Sequence, residues 1–144
     1  MRLTSFTDYG LRALMRLAGE PERSFTTDEI AREFHISRHH LVKIVAALAE
    51  AGLVITQRGS GGGFRLSRAA KEVTLGDIVR VLEADQALVE CFRADGGECV
   101  MSPGCRLKKK FATAREAFYR ELDRTTLAEC AFPKRPVAAL KRAG

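Results

Sequence analysis

No stretch of this chain approaches the ~18 uninterrupted apolar residues that a membrane-spanning helix needs. The opening residues, Met1 to Gly10, lack the apolar core of a signal peptide, so the chain is expected in the cytoplasm with no membrane partner. Also missing are a Ser-His-Asp set, a phosphate-binding loop and paired carboxylates that could share a cleft, so an enzyme is not expected. Apart from one glycine-rich stretch there is no low-complexity tract and no internal repeat. Cysteine is scarce at four residues; a reducing compartment disfavours structural disulfides, so their spacing is read first for metal or redox chemistry.

Acidic residues are scarce in one particular place. From Ser37 to Lys71, six cations (Arg38, Lys43, Arg58, Arg65, Arg68 and Lys71) face the single acid Glu50, a formal +5 within a chain of net charge +6. Such a concentration suits a polyanionic partner better than the total charge alone would suggest. Two further basic runs, Arg106 with Lys108 to Lys110, and Lys134, Arg135, Lys141 and Arg142, read more simply as solvated faces. With 144 residues and 46% hydrophobic content, the chain fits one domain with an appendage and can bury roughly two thirds of its unfolded surface.

Ser5 followed by Asp8 has the spacing of a helix cap, and Phe6, Ala13, Leu14 and Leu17 continue on one face. Thr26 and Glu29 form a capping box for a short second helix carrying Ile30, Ala31 and Phe34. Ser37 is expected to cap a third helix, whose stripe of Leu41, Ile44, Val45 and Leu48 stops at Gly52. The short gap from His35 to Ser37 is what a helix-turn-helix requires. Leu53 to Thr56 and Phe64 to Leu66 favour strands across the Gly59–Gly63 turn. Thr74 with Asp77 starts a fourth helix carrying Leu75, Ile78, Val79 and Leu82, and an irregular stretch follows from Ala84 to Gly104. Leu107, Phe111, Ala114, Phe118, Leu122 and Thr125 then step by three and four through a charged final helix. One apolar seam on a long exposed helix predicts pairing with a second copy. The expected fold is mainly α with a small β-hairpin wing: a winged helix-turn-helix followed by a long dimerisation helix.

If the third helix buries its apolar stripe, Ser37, Arg38, His39, His40, Val42 and Lys43 lie on the side that would meet a DNA major groove. Arg58 and Arg65 flank the glycine tip and could follow a neighbouring minor groove. Double-stranded DNA is therefore the expected partner. His35, His39 and His40 make a poor metal site, because adjacent histidines on a helix point apart and no cysteine is near them in sequence. Cys91, Cys99 and Cys105 share one loop with Gly96, Gly97 and Pro103. Their spacing fits thiolates wrapped around an iron-sulfur cluster, but equally three unligated thiols or a zinc site with a fourth ligand from elsewhere. Cys130 lies beyond the final helix and is either that ligand or an inert thiol.

These residues together resemble the IscR/NsrR family of dimeric winged-helix iron-sulfur regulators. The likeness runs from Met1-Arg2-Leu3-Thr4 through Val42-Lys43-Ile44, Gly62-Gly63-Phe64-Arg65-Leu66 and Cys105-Arg106-Leu107 to Leu122-Asp123. Within the family, Leu3-Thr4-Ser5-Phe6-Thr7-Asp8-Tyr9-Gly10-Leu11-Arg12-Ala13-Leu14 is most similar to the nitric-oxide-sensitive branch. The IscR pattern has a ligating His three residues after the last cysteine, where this chain has Lys108. The resemblance implies a cluster, 4Fe-4S rather than 2Fe-2S, held by Cys91, Cys99 and Cys105 with Asp8 of the other subunit as fourth ligand. It also implies a homodimeric repressor that binds palindromic operator DNA and releases it when nitric oxide attacks the cluster. Regulators of the same kind that sense cluster supply, iron or oxidative stress are the first alternative, and an iron-sulfur carrier without sequence-specific DNA binding is the second. The expected organisation is a DNA-binding domain over 1–83, a cluster-binding loop over 84–106, a dimerisation helix over 107–130 and a tail over 131–144.

Overall fold

The computed structural model describes residues 2–102 and 104–133. Helix α1 spans Ser5–Gly19, and its cap is Thr4 rather than the expected Ser5: the Thr4 hydroxyl accepts from the Thr7 N–H at 3.2 Å. A distant residue selects between the two neighbouring hydroxyls. The Glu83 carboxylate accepts from the Thr4 N–H at 2.8 Å and the Thr4 hydroxyl at 2.9 Å, and also from the Thr7 hydroxyl. That places a negative charge at the positive end of α1.

Helix α2 covers Thr27–Phe34 and opens with the expected capping box, Thr26 and Glu29 exchanging bonds of 3.1 and 2.8 Å. The Thr26 backbone bond, aided by its hydroxyl and by Arg23 and Arg32, holds the Glu29 carboxyl below its usual pKa. His35, in the left-handed region at φ 54°, ends α2, and α3 follows over Arg38–Glu50. Ser37 occupies the cap position of α3 but makes no side-chain cap hydrogen bond, so its expected capping role is not realised. Leu41, Ile44, Val45 and Leu48 are buried as the stripe predicts, and Gly52 adopts φ 73° just past the helix.

Strands β1 (Val54–Gln57) and β2 (Gly63–Leu66) pair antiparallel, with Val54 opposite Leu66 and Gln57 opposite Gly63. Phe25 adds a third line of pairing: its N–H donates to the Phe64 carbonyl at 2.9 Å, and the Phe64 N–H donates back at 2.8 Å. The root of the wing is thereby fastened to the segment between α1 and α2. Gly63 lies at this crossing with φ +149°, and a Cβ there would meet the Phe25 carbonyl oxygen at 2.4 Å. Gly63→Ala is expected to destabilise the fold by about 2 kcal/mol or more, because rigid backbone must move. Gly61→Ala, also at positive φ (+74°) but in open space, is expected to cost only about 1 kcal/mol. Urea melts of the two variants check the difference.

Helix α4 spans Leu75–Leu82 behind a Thr74–Asp77 capping box and buries Ile78, Val79 and Leu82. Gly10 lets α1 approach it closely, since a Cβ would come within 2.5 Å of the Leu82 side chain. One core joins all these elements, from Leu14 and Leu17 through Ile30, Leu41, Ile44 and Leu48 to Phe64 and Ile78. Helix α5 (Arg106–Leu122) packs on α4 and has no buried residue; it ends well short of position 130. Arg80 grips Asp123 with two bonds of 2.6 and 2.7 Å, which hold the Asp123 carboxyl below its ordinary pKa. The chain then turns back in a short 3-10 helix, Leu127–Cys130, and Leu127 is completely buried in the core.

Candidate nucleic-acid interface and cysteine loop

The apolar stripe of α3 faces inward, so the opposite side is free. Ser37, Arg38, His39, His40 and Lys43 are all exposed on that side, with Val42 beside them at 42%. Arg58 and Arg65 are exposed on the wing, the first just before Gly59 and the second on β2 opposite Ile55. The seven residues expected to meet DNA thus form a cationic helix face and a cationic hairpin. Among the described residues Arg38 is the one of the seven with an ion pair: its Nε donates to Asp28 Oδ1 at 2.6 Å. The edge of the His40 ring meets Tyr9 of α1, with centroids 6.1 Å apart.

Arg16 went unread in the sequence. Its guanidinium is fully buried, bonded to Glu33 on α2 at 2.9 Å and to Glu20 at 2.8 Å, and it lies 4.7 Å from the Phe25 ring centre. A buried cation held this way fixes α1 against α2, and so sets the platform from which α3 projects. A long polar side chain on a helix gives no sequence signal that it is buried.

Cys91 lies in a short 3-10 turn, Glu90–Phe92; Cys99 opens a turn in which its carbonyl accepts from the Ser102 N–H at 3.2 Å; Cys105 occupies the cap position of α5. All three are half-buried and unpaired. Gly96 and Gly97 bend the loop between them at φ 80° and 62°, and a Cβ on Gly97 would lie 2.7 Å from the Glu90 carbonyl oxygen. The Phe92 ring beside Cys91 carries the Arg115 guanidinium of α5 at 4.7 Å. Three free thiols on one loop are a soft donor set that suits iron-sulfur or zinc. Among the described residues no three Cys, His, Asp or Glu side chains converge as a metal-binding group. Asp8, in the first turn of α1, is instead bonded to Arg12 on its own helix at 2.8 and 3.2 Å. Cys130, also unpaired and half-buried, belongs to the segment that returns to α1. Of the terminal basic run, Lys134, Arg135, Lys141 and Arg142 lie outside the described residues.

A helix-turn-helix with a cationic outer face, followed by a basic hairpin fastened to the same core, defines a winged-helix DNA-binding protein. Residues 3–132 match the Rrf2 family, described as iron-dependent transcriptional regulators, and the chain belongs to that family. It is 46% identical over 130 residues to the HTH-type transcriptional regulator NsrR of Geobacillus kaustophilus, covering 90% of this chain and 88% of that one. CymR, the global cysteine regulator of B. subtilis, superposes with a TM-score of 0.71 at 32% identity, over 91% of this chain and 96% of that one. IscR of T. potens does so at 0.69 and 26% identity, over 100% and 89%. The chain is therefore a transcriptional regulator and not an enzyme, which sets aside the carrier reading. Among the described residues no helix is long and apolar enough to cross a membrane.

Proposed function

We propose that this chain is an NsrR-type repressor that binds a palindromic operator as a homodimer and releases it in response to nitric oxide. Cys91, Cys99 and Cys105 would hold an iron-sulfur cluster, 4Fe-4S in this reading, with Asp8 of the partner subunit as fourth ligand. What supports this most is the conjunction, in a relative of NsrR, of a cationic recognition face with three unpaired, half-buried thiols on the loop that leads into α5. The first suits a polyanion and the second a soft metal. Bound there, the cluster would supply iron atoms able to react with nitric oxide.

This chain's own residues do the rest. Both carboxylate oxygens of Asp8 accept from Arg12, so its use as a ligand would compete with that ion pair in the first turns of α1. Tyr9, the next residue, touches His40 on the recognition helix, and Glu83 at the end of α4 ties the root of the cysteine loop to the same helix start. A change at the loop therefore has a short path of contacts to the DNA-facing side. The half-exposed seam of Phe111, Phe118 and Leu122, with exposed Leu107 and Ala114, supports pairing of α5 with its copy. Two-fold symmetry then demands half-sites about one helical turn apart, or a multiple of it.

Residues 1–83 would be the DNA-binding unit, 84–106 the cluster loop and 107–130 the dimerisation segment, although Leu127 of that segment is built into the DNA-binding core. The repressor would act in the cytoplasm, where its DNA is. The family's description as iron-dependent favours a second reading, a regulator that senses iron or cluster supply. Nitric oxide titration of anaerobically purified protein, followed by visible absorption and operator retention, separates the two. Colourless protein that grips its operator regardless of the gas overturns both. Arg38→Ala and Lys43→Ala are each expected to weaken operator binding about tenfold with the chromophore intact, measured by fluorescence anisotropy. Where the cation removed neutralises a phosphate, the slope of log affinity against log salt should become shallower by about 1.

A further inference from the structure

We propose that Asp28 is a positioning residue for base recognition: by holding Nε of Arg38, it presents the two terminal nitrogens of that guanidinium end-on to a guanine. This rests on the reading of α3 as the recognition helix. Asp28 stands in the first turn of α2 and Arg38 is the first residue of α3, so the bond bridges the two helices of the motif. It runs from Nε to Oδ1 at 2.6 Å, and among the described residues neither terminal nitrogen donates a hydrogen bond.

Both side chains are largely exposed, 68% for Arg38 and 57% for Asp28, so the pair adds little to stability and its value must be sought elsewhere. An acid on a DNA-facing surface repels phosphate and by itself weakens binding. The geometry offsets that repulsion with orientation. A free arginine has several rotamers and can meet phosphate or base in any of them, which gives affinity without selectivity. An arginine clamped at Nε keeps one planar fork, and two parallel donors match the O6 and N7 acceptors of guanine. Asp28 would thus exchange general affinity for discrimination at one G·C pair in each half-site. In sequence it reads only as the favourable acid near a helix start.

The test begins with a duplex selected from a random library by the anaerobically purified wild-type protein. Dissociation constants are then measured on that duplex and on a set with single base-pair changes. Arg38→Ala should erase a preference of about tenfold or more at one G·C pair. Asp28→Ala should reduce the preference at the same pair severalfold while leaving affinity for the changed duplex equal or higher. Asp28→Asn, which keeps a weaker neutral acceptor and nearly the same shape, should fall between, and thermal melts confirm that each variant is folded. If Arg38→Ala removes the preference and Asp28→Ala retains it, the positioning role is wrong. If Asp28→Ala raises affinity equally for every duplex, Asp28 is a mere competitor for Arg38 and the proposal also fails. If Arg38→Ala changes no preference, or no duplex is selected at all, the underlying assignment of the recognition helix fails with it.

Discussion

Cys99→Ala protein, purified without oxygen, is expected to show no visible cluster absorption and to bind operator no better than unrelated duplex. Iron in a cluster of the proposed type needs a sulfur-rich tetrahedral environment, and removing the middle of the three proposed thiolates would leave one iron without its ligand. No preformed substitute is at hand: among the described residues no three Cys, His, Asp or Glu side chains converge, and Asp8 already has its own place in the proposed ligand set. The fold should be untouched. Cys99 is half-buried on an irregular loop and absent from the core, so thermal stability of the cluster-free protein should change by less than about 0.5 kcal/mol. Cys91→Ala and Cys105→Ala should behave alike. Cys130→Ala should keep its colour, because Cys130 belongs to the segment that returns to α1 and not to the loop. An intact chromophore in Cys99→Ala would overturn the ligand assignment, and loss of colour in Cys130→Ala would add a ligand to it.

What the sequence made legible was local or periodic. Thr26 with Glu29 and Thr74 with Asp77 declare helix starts within four residues, and the α3 stripe repeats often enough to fix which side is buried. Once that side was known, the exposure of Arg38, His39, His40 and Lys43 followed by geometry alone. Features created by the fold were not legible. Thr4 wins the cap over Ser5 because Glu83 reaches it from 79 residues away. Phe25 pairs with Phe64 as a single residue with no alternating pattern around it. Arg16 and Asp28 look like ordinary surface charges until their partners, Glu33 and Arg38, are brought alongside. The ligand role proposed for Asp8 illustrates the limit at the site itself. An acid in the first turn is what helix stability favours, and the Arg12 pairing seen here is the same local chemistry.

Leu127→Ala is expected to lower stability by about 3 kcal/mol, the middle of the range for deleting a buried leucine side chain. Leu127 follows a charged helix and has no periodic neighbour to mark it, yet it is wholly excluded from solvent. Its N–H donates to the Val73 carbonyl at 2.8 Å, the Leu75 N–H donates to Thr125 at 3.0 Å, and Phe132 donates to Met15 of α1 at 2.8 Å. The segment after α5 therefore closes over the start of α4 and the side of α1, and the side chain of Leu127 plugs the gap it covers. The rigid frame around it leaves little room for collapse, so most of the deleted volume should persist as a cavity. For a chain of this size the melting temperature should fall by roughly 10 °C. The urea midpoint should fall with an unchanged slope, as two-state loss of packing requires. Leu107→Ala gives the contrast. That side chain is 60% exposed on α5, so its removal should leave the stability of a single chain nearly unchanged and weaken self-association if α5 is the pairing helix. A drop of less than about 2 °C for Leu127→Ala would mean that the returning segment merely rests on the core, and that α5 is free to move independently of the DNA-binding part.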